Sequence, residues 1–210
     1  MSTHAQRERL LLADLLESSG PDAPTLCEGW HTRDLAAHVV VRERRGDAAA
    51  GLVIPQLADR LERVRREYAA KPYEELIQLI RTGPPRMSPF SLKQFDEAAN
   101  SVEFYVHAED IRRATPDWTP RAIDPVFGEA LWSRLERAAR LVGRRSPVGL
   151  VLRRPNGQTV VAHKGSPVVT VTGEPAELTV FAFGRQSAAD VQTEGDKDAV
   201  AKVYEAKLGM

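Results

Sequence analysis

The sequence predicts an α+β protein, a helical bundle followed by a small α/β domain. Apolar residues recur at helical spacing through the first two thirds of the chain. Beyond Gly143 the apolar period shortens to that of strands, and two strand-like runs flank the turn Pro155-Asn156-Gly157.

The elements follow in order. Residues 4–18 carry Leu10, Leu11, Leu15 and Leu16 at helical spacing, and Gly20-Pro21-Asp22-Ala23-Pro24 stops the helix. A second helix opens at Thr32, read as its N-cap, with Asp34 in the first turn where the helix dipole favours a carboxylate. It runs to about Arg45. Residues 56–69 and 73–82 read as a third helical stretch interrupted near Pro72. Gly83-Pro84-Pro85 and Pro89 mark a loop. A long helix spans about Leu92 to Ala114 and stops before Pro116; residues 125–142 form another, ended by Gly143. Val148 to Leu152 is a strand, residues 158–163 return as a hairpin, and Val168 to Val171 is a third strand. Pro175 to Phe183 reads as a short helix with Pro in its first turn, 189–193 as a further strand and 196–208 as a final helix. The change of period places a domain boundary near 143–147. Residues 1–143 are then an up-down bundle expected to fold alone, and 144–210 a small α/β domain.

Composition limits the function classes. A chain of 210 residues buries a sizeable core. Basic and acidic residues balance at 29 each, which gives no electrostatic footprint for nucleic acid or an anionic membrane. The single cysteine, Cys27, excludes an internal disulfide and a cysteine-rich metal site, and it suits a reducing cytoplasm. The N-terminal residues show no apolar signal-peptide core, and no apolar run approaches the ~20 residues that span a bilayer. A cytoplasmic protein is expected; its oligomeric state is left open.

The chemistry concentrates in Ala99 to Ile111. Glu103 and His107 are four apart and share one helix face, with Asp110 a turn further on. Val102 and Val106 flank this stripe on one side, Phe104 and Ile111 on the other. A buried carboxylate needs a partner. His38, between Leu35 and Val41 on the second helix, is another polar group within an apolar flank. Two imidazoles and a carboxylate make three metal ligands, the number that leaves a catalytic zinc an open position. Spacing alone equally allows a hydrogen-bonded core histidine or a solvated Glu/His pair.

A resemblance weighs on that choice. The run Thr25-Leu26-Cys27-Glu28-Gly29-Trp30-His31-Thr32-Arg33-Asp34-Leu35-Ala36-Ala37-His38 resembles the start of the second helix in the DinB-like, mycothiol-dependent maleylpyruvate isomerase superfamily. Glu103 to Ala114 resembles its other metal helix. Gly173-Glu174-Pro175-Ala176-Glu177-Leu178 and Phe183-Gly184-Arg185 resemble its C-terminal domain, so the likeness spans nearly the whole chain. It is strongest to an actinobacterial subgroup described only as metal-binding. The resemblance implies a zinc ion, or nickel, on His38, Glu103 and His107, with mycothiol as co-substrate for transfer to, or isomerisation of, a small electrophile. It also implies that Arg185 reaches toward the metal cleft. The rival readings are metal-assisted hydrolysis and a non-enzymatic, metal-dependent binding or regulatory module.

Around this set, Asp110 orients a ligand imidazole or pairs with Arg113 or Arg42. Arg42 and Arg45 lie on the His38 face, one and two turns on, and hold an anionic substrate or thiol, or else end in solvent. Cys27 is read as small packing in a loop, His31 and His4 as exposed, and His163 as the end of a strand. No Gly-rich phosphate loop or nucleophile elbow is present.

Overall fold

The computed structural model describes residues 3–49, 54–85 and 93–209. Pro89 and Leu92, the predicted loop marker and helix start, lie outside them. The chain divides into two compact units between Trp118 and Thr119.

The first unit is helical. Its elements are α1 (His4–Ser19), α2 (Thr32–Arg44), the short α3 (Gly46–Ala49), α4 (Ala58–Ala69), α5 (Tyr73–Thr82) and α6 (Lys93–Arg112). Thr3 caps α1: its hydroxyl accepts the Gln6 N–H at 3.2 Å while Gln6 Oε1 accepts the Thr3 N–H at 3.2 Å. At α2 the cap is His31, one residue before the predicted Thr32. Thr32 is fully buried and its hydroxyl donates to the Gly20 carbonyl, tying α2 to the end of α1. Asp34 instead accepts the His31 N–H at 3.1 Å. Leu12 and Leu16 of α1, Leu35 and Val39 of α2, Leu76 and Ile80 of α5, and Phe104 and Ile111 of α6 form one apolar cluster. Each such side chain contributes about 1.5–3 kcal/mol by leaving water. This packing fixes which face of α2 and α6 turns inward, and hence where His38, Glu103 and His107 lie.

The second unit contains α7 (Pro125–Val142), β1 (Gly149–Arg153), β2 (Thr159–His163), β3 (Val168–Thr172), α8 (Pro175–Ala182), β4 (Gln192–Glu194) and α9 (Lys197–Glu205). The sheet order is β2-β1-β3-β4, with β1 antiparallel to β2, parallel to β3, and β3 antiparallel to β4. Trp132, Leu135, Ala139 and Val142 of α7 pack in one cluster with Leu150 and Leu152 of β1, Val169 and Val171 of β3, and Leu178 and Phe181 of α8.

That cluster corrects the boundary read near 143–147. Helical period ends at Gly143, yet α7 belongs with the sheet, because its apolar stripe is buried there. Gly143 itself is in ordinary right-handed backbone. A Cβ at this position would stand 2.7 Å from the Ala162 carbonyl oxygen, so glycine lets the end of α7 approach β2. Residues 119–210 are therefore expected to fold alone, and 144–210, lacking the α7 face of the core, are not. Trp132 is the sole tryptophan of the longer fragment and lies 5.3 Å from the Arg154 guanidinium. Cooperative urea unfolding followed by its fluorescence checks this; an unfolded 119–210 fragment would return the boundary to 143.

Among the described residues no helix is long and apolar enough to cross a membrane.

Candidate metal centre

The site is built from two helices whose packing turns three donor side chains toward one another. His38 comes from the middle of α2, and Glu103 and His107 from successive turns of α6. His38 Nε2 lies 3.3 Å and His107 Nε2 3.1 Å from the same carboxylate oxygen, Glu103 Oε1. The two imidazoles meet edge to face, ring centres 5.2 Å apart. One donor atom from each of the three residues lies within 4.8 Å of the other two. The donors are two nitrogens and an oxygen, with no thiolate among them. Such a set suits a catalytic zinc, and nickel or copper in competition with it.

The remaining partners surround this core. Arg42 Nε lies 3.4 Å from Glu103 Oε1, and Arg42 Nη1 donates to Asn100 Oδ1. Asn100 Nδ2 donates at 3.4 Å to Glu43, whose carboxylate is gripped by Arg9 at 2.6 and 2.7 Å. On the other side, His107 Nδ1 lies 2.9 Å from Asp110 Oδ2, and the Cys27 thiol donates to that same oxygen at 3.2 Å. Trp30 packs on His38 with ring centres 5.2 Å apart, and the Arg65 guanidinium lies 5.0 Å above the Trp30 ring. His107 thus also faces a second donor group, Asp110 and Cys27, through its opposite nitrogen. A hydrogen bond from the second nitrogen of a ligand imidazole to a buried carboxylate is a common means of fixing ring orientation.

Electrostatics follow from this crowding. Burial pushes Glu103 up, but hydrogen bonds from His107 and His38 and the nearby Arg42 hold its carboxyl well below the usual range. Burial pushes His107 down, but hydrogen bonds to Asp110, Cys27 and Glu103 carry it well above an ordinary imidazole. At His38 burial dominates over the Glu103 hydrogen bond, and its affinity for a proton falls. One imidazole is therefore strongly basic and its neighbour is not, although both face one carboxylate.

His38, Glu103, His107, Asp110 and Arg42 come together as one cluster. Asp110 faces the His107 imidazole at 2.9 Å, and Arg113 pairs with Glu109 at 2.6 Å. Arg45 is not in the cluster: it follows the last turn of α2 and pairs with Asp47 at 2.9 Å. Arg185 lies in the second unit, where its guanidinium donates to the Phe183 carbonyl. His31 caps α2, His4 contacts Arg7 and His163 ends β2, all outside the cluster. Cys27, Trp30, Asn100, Glu43 and Arg9 belong to the surroundings without having been singled out for them. Asn100, on α6 one turn before Glu103, was the detectable signal, since an amide on an inward stripe needs a partner.

The family model described as the mycothiol maleylpyruvate isomerase N-terminal domain matches residues 3–136. The chain belongs to this family. Two solved structures share its fold. One is a mycothiol-dependent maleylpyruvate isomerase, 18% identical, with a TM-score of 0.61 over 92% of this chain and 96% of that one. The other is a histidine-to-alanine mutant of a mycothiol-dependent maleylpyruvate isomerase, 16% identical, with a TM-score of 0.52 and the same coverage. No curated protein sequence matches the chain. The α+β architecture of the maleylpyruvate isomerases, helices joined to a small four-stranded sheet, is that of this protein.

Proposed function

We propose that His38, Glu103 and His107 hold one divalent metal ion, zinc ahead of nickel, and that the protein is a cytoplasmic, mycothiol-dependent isomerase or transferase acting on a small anionic electrophile. The observation that carries this reading is the convergence of two imidazole nitrogens on one oxygen, Glu103 Oε1, at 3.3 and 3.1 Å, with the Arg42 guanidinium beside it. Three N/O donors leave room for an exchangeable ligand. When bound, the ion would favour the thiolate form of a thiol, which is the nucleophilic form.

The other roles fall to side chains of the protein. His38 and Glu103 bring donors from two helices to one point, and Asp110 fixes the ring of His107. Arg42 adds positive charge where a thiolate or a substrate carboxylate is to be received. The Cys27 thiol is directed at Asp110, so the sulfur for nucleophilic attack comes from an external thiol. Addition of that thiol to an activated double bond, rotation and elimination return it unchanged, whereas transfer leaves it in the product. Thiol consumption therefore separates isomerase from transferase.

Cobalt-substituted protein titrated with mycothiol is expected to gain a sulfur-to-metal charge-transfer band and to release a proton. His38→Ala protein is expected to show neither. A cobalt spectrum indifferent to the thiol, together with hydrolysis in its absence, would replace this reading with metal-activated water.

A further inference from the structure

The segment Thr25–Trp30 touches both histidines of the cluster. Its backbone is held to α6, since the Leu26 N–H donates to the Asp110 carbonyl at 3.0 Å. It is held to itself by Thr25, whose hydroxyl donates to the Trp30 carbonyl at 2.9 Å and accepts the Cys27 N–H at 3.2 Å. A further bond runs from the Trp30 N–H to the Cys27 carbonyl at 3.0 Å. This folded loop lays the Trp30 ring against His38 and points the Cys27 sulfur at Asp110 Oδ2. Asp110 is fully buried, and the same oxygen that takes the thiol hydrogen bond faces His107 Nδ1.

A carboxylate has two oxygens and can rotate about its terminal bond, so one hydrogen bond to His107 does not by itself fix which oxygen is presented. The thiol supplies a further constraint on that oxygen. We propose that Cys27 is a positioning residue of the metal centre: its thiol holds Asp110 Oδ2 on His107 Nδ1 and so sets the orientation of the imidazole. This rests on the reading of His107 as a metal ligand given above. It gives the lone cysteine a role other than packing or nucleophilic attack, and makes the loop before α2 part of the site.

The test compares Cys27→Ser, which keeps a donor, with Cys27→Ala, which removes it, in the full chain with matched circular dichroism. Zinc affinity is measured by chelator competition. The Ala protein is expected to bind zinc about tenfold more weakly or worse, as loss of such outer partners commonly does, and Ser to restore most of the loss. In the metal-free proteins, the His107 Nδ1–H proton is expected to be a slowly exchanging NMR signal in wild type and Ser, and to be lost in Ala. Equal zinc affinity and an equally protected proton in Ala overturn the proposal, as does a Ser protein as impaired as Ala. If wild type takes up no zinc, the metal reading falls, and the NMR comparison still decides whether Cys27 positions His107.

Discussion

Replacing Glu103 by Ala is expected to abolish stoichiometric metal uptake, and His38→Ala and His107→Ala to do the same. Glu103 has the most to lose, because its Oε1 is the point on which both imidazoles and Arg42 converge. Without it, three nitrogen groups face one another with no anion between them. Metal analysis of protein purified without nickel resin checks this, since nickel or copper can displace zinc from nitrogen and oxygen donors during purification. Full occupancy in all three variants would remove the assignment. The metal-free protein should show the pH signature of the same cluster. Glu103 is held well below its ordinary value, so its contribution to stability is present above about 4.5 and disappears as pH falls through the lowered value. His107 is raised, so its contribution is complete below about 6.5 and disappears as pH rises through the raised value. His38 opposes this, since it is lowered and resists the proton that the unfolded chain accepts below about 6.5. Metal competes with the His107 proton, so apparent metal affinity is expected to rise with pH above neutrality. An affinity flat across that range would contradict a metal bound at His107.

The parts of this site that were legible from sequence are those written at short range. The four-residue spacing of Glu103 and His107, and the apolar flanks around them, place both on the inner face of α6. The bounds of α7 fell at Pro125 and Val142 as predicted, because proline marks the first turn and a glycine follows the last. What the sequence did not disclose was written between distant residues. Cys27 and Asp110 are 83 positions apart, and nothing in either segment names the other. Nothing in the helical pattern around Arg9 or Glu43 marks either charge for burial, yet both side chains are buried. The boundary was misplaced for a related reason. Periodicity shows that α7 has an apolar face, but not whether that face meets helices or a sheet.

The second large effect concerns Arg9 and Glu43, which are expected to matter to stability as much as Glu103 does to metal. Their bidentate pair spans α1 and α2, with side-chain exposures of 6% and 1%. The Arg9 guanidinium also donates to the Ile80 carbonyl at 3.3 Å and lies 4.6 Å over the Phe104 ring. Breaking such a pair from one side leaves a desolvated charge, at a cost of roughly 3–5 kcal/mol. Glu43→Leu and Arg9→Met are therefore each expected to lower the unfolding free energy measured in urea by that amount. The double variant is expected to recover most of the loss, since well-packed apolar replacements of a buried pair are often neutral. Singles costing under about 1 kcal/mol would mean that water reaches the pair, as it does in exposed pairs. The comparison also bears on the site. Glu43 is bonded to Asn100, Asn100 to Arg42, and Arg42 lies beside Glu103. If this chain sets the position of Arg42, the double variant will regain stability without regaining full affinity for an anionic ligand of the metal-loaded protein. Recovery of both together would confine Arg9 and Glu43 to holding the bundle.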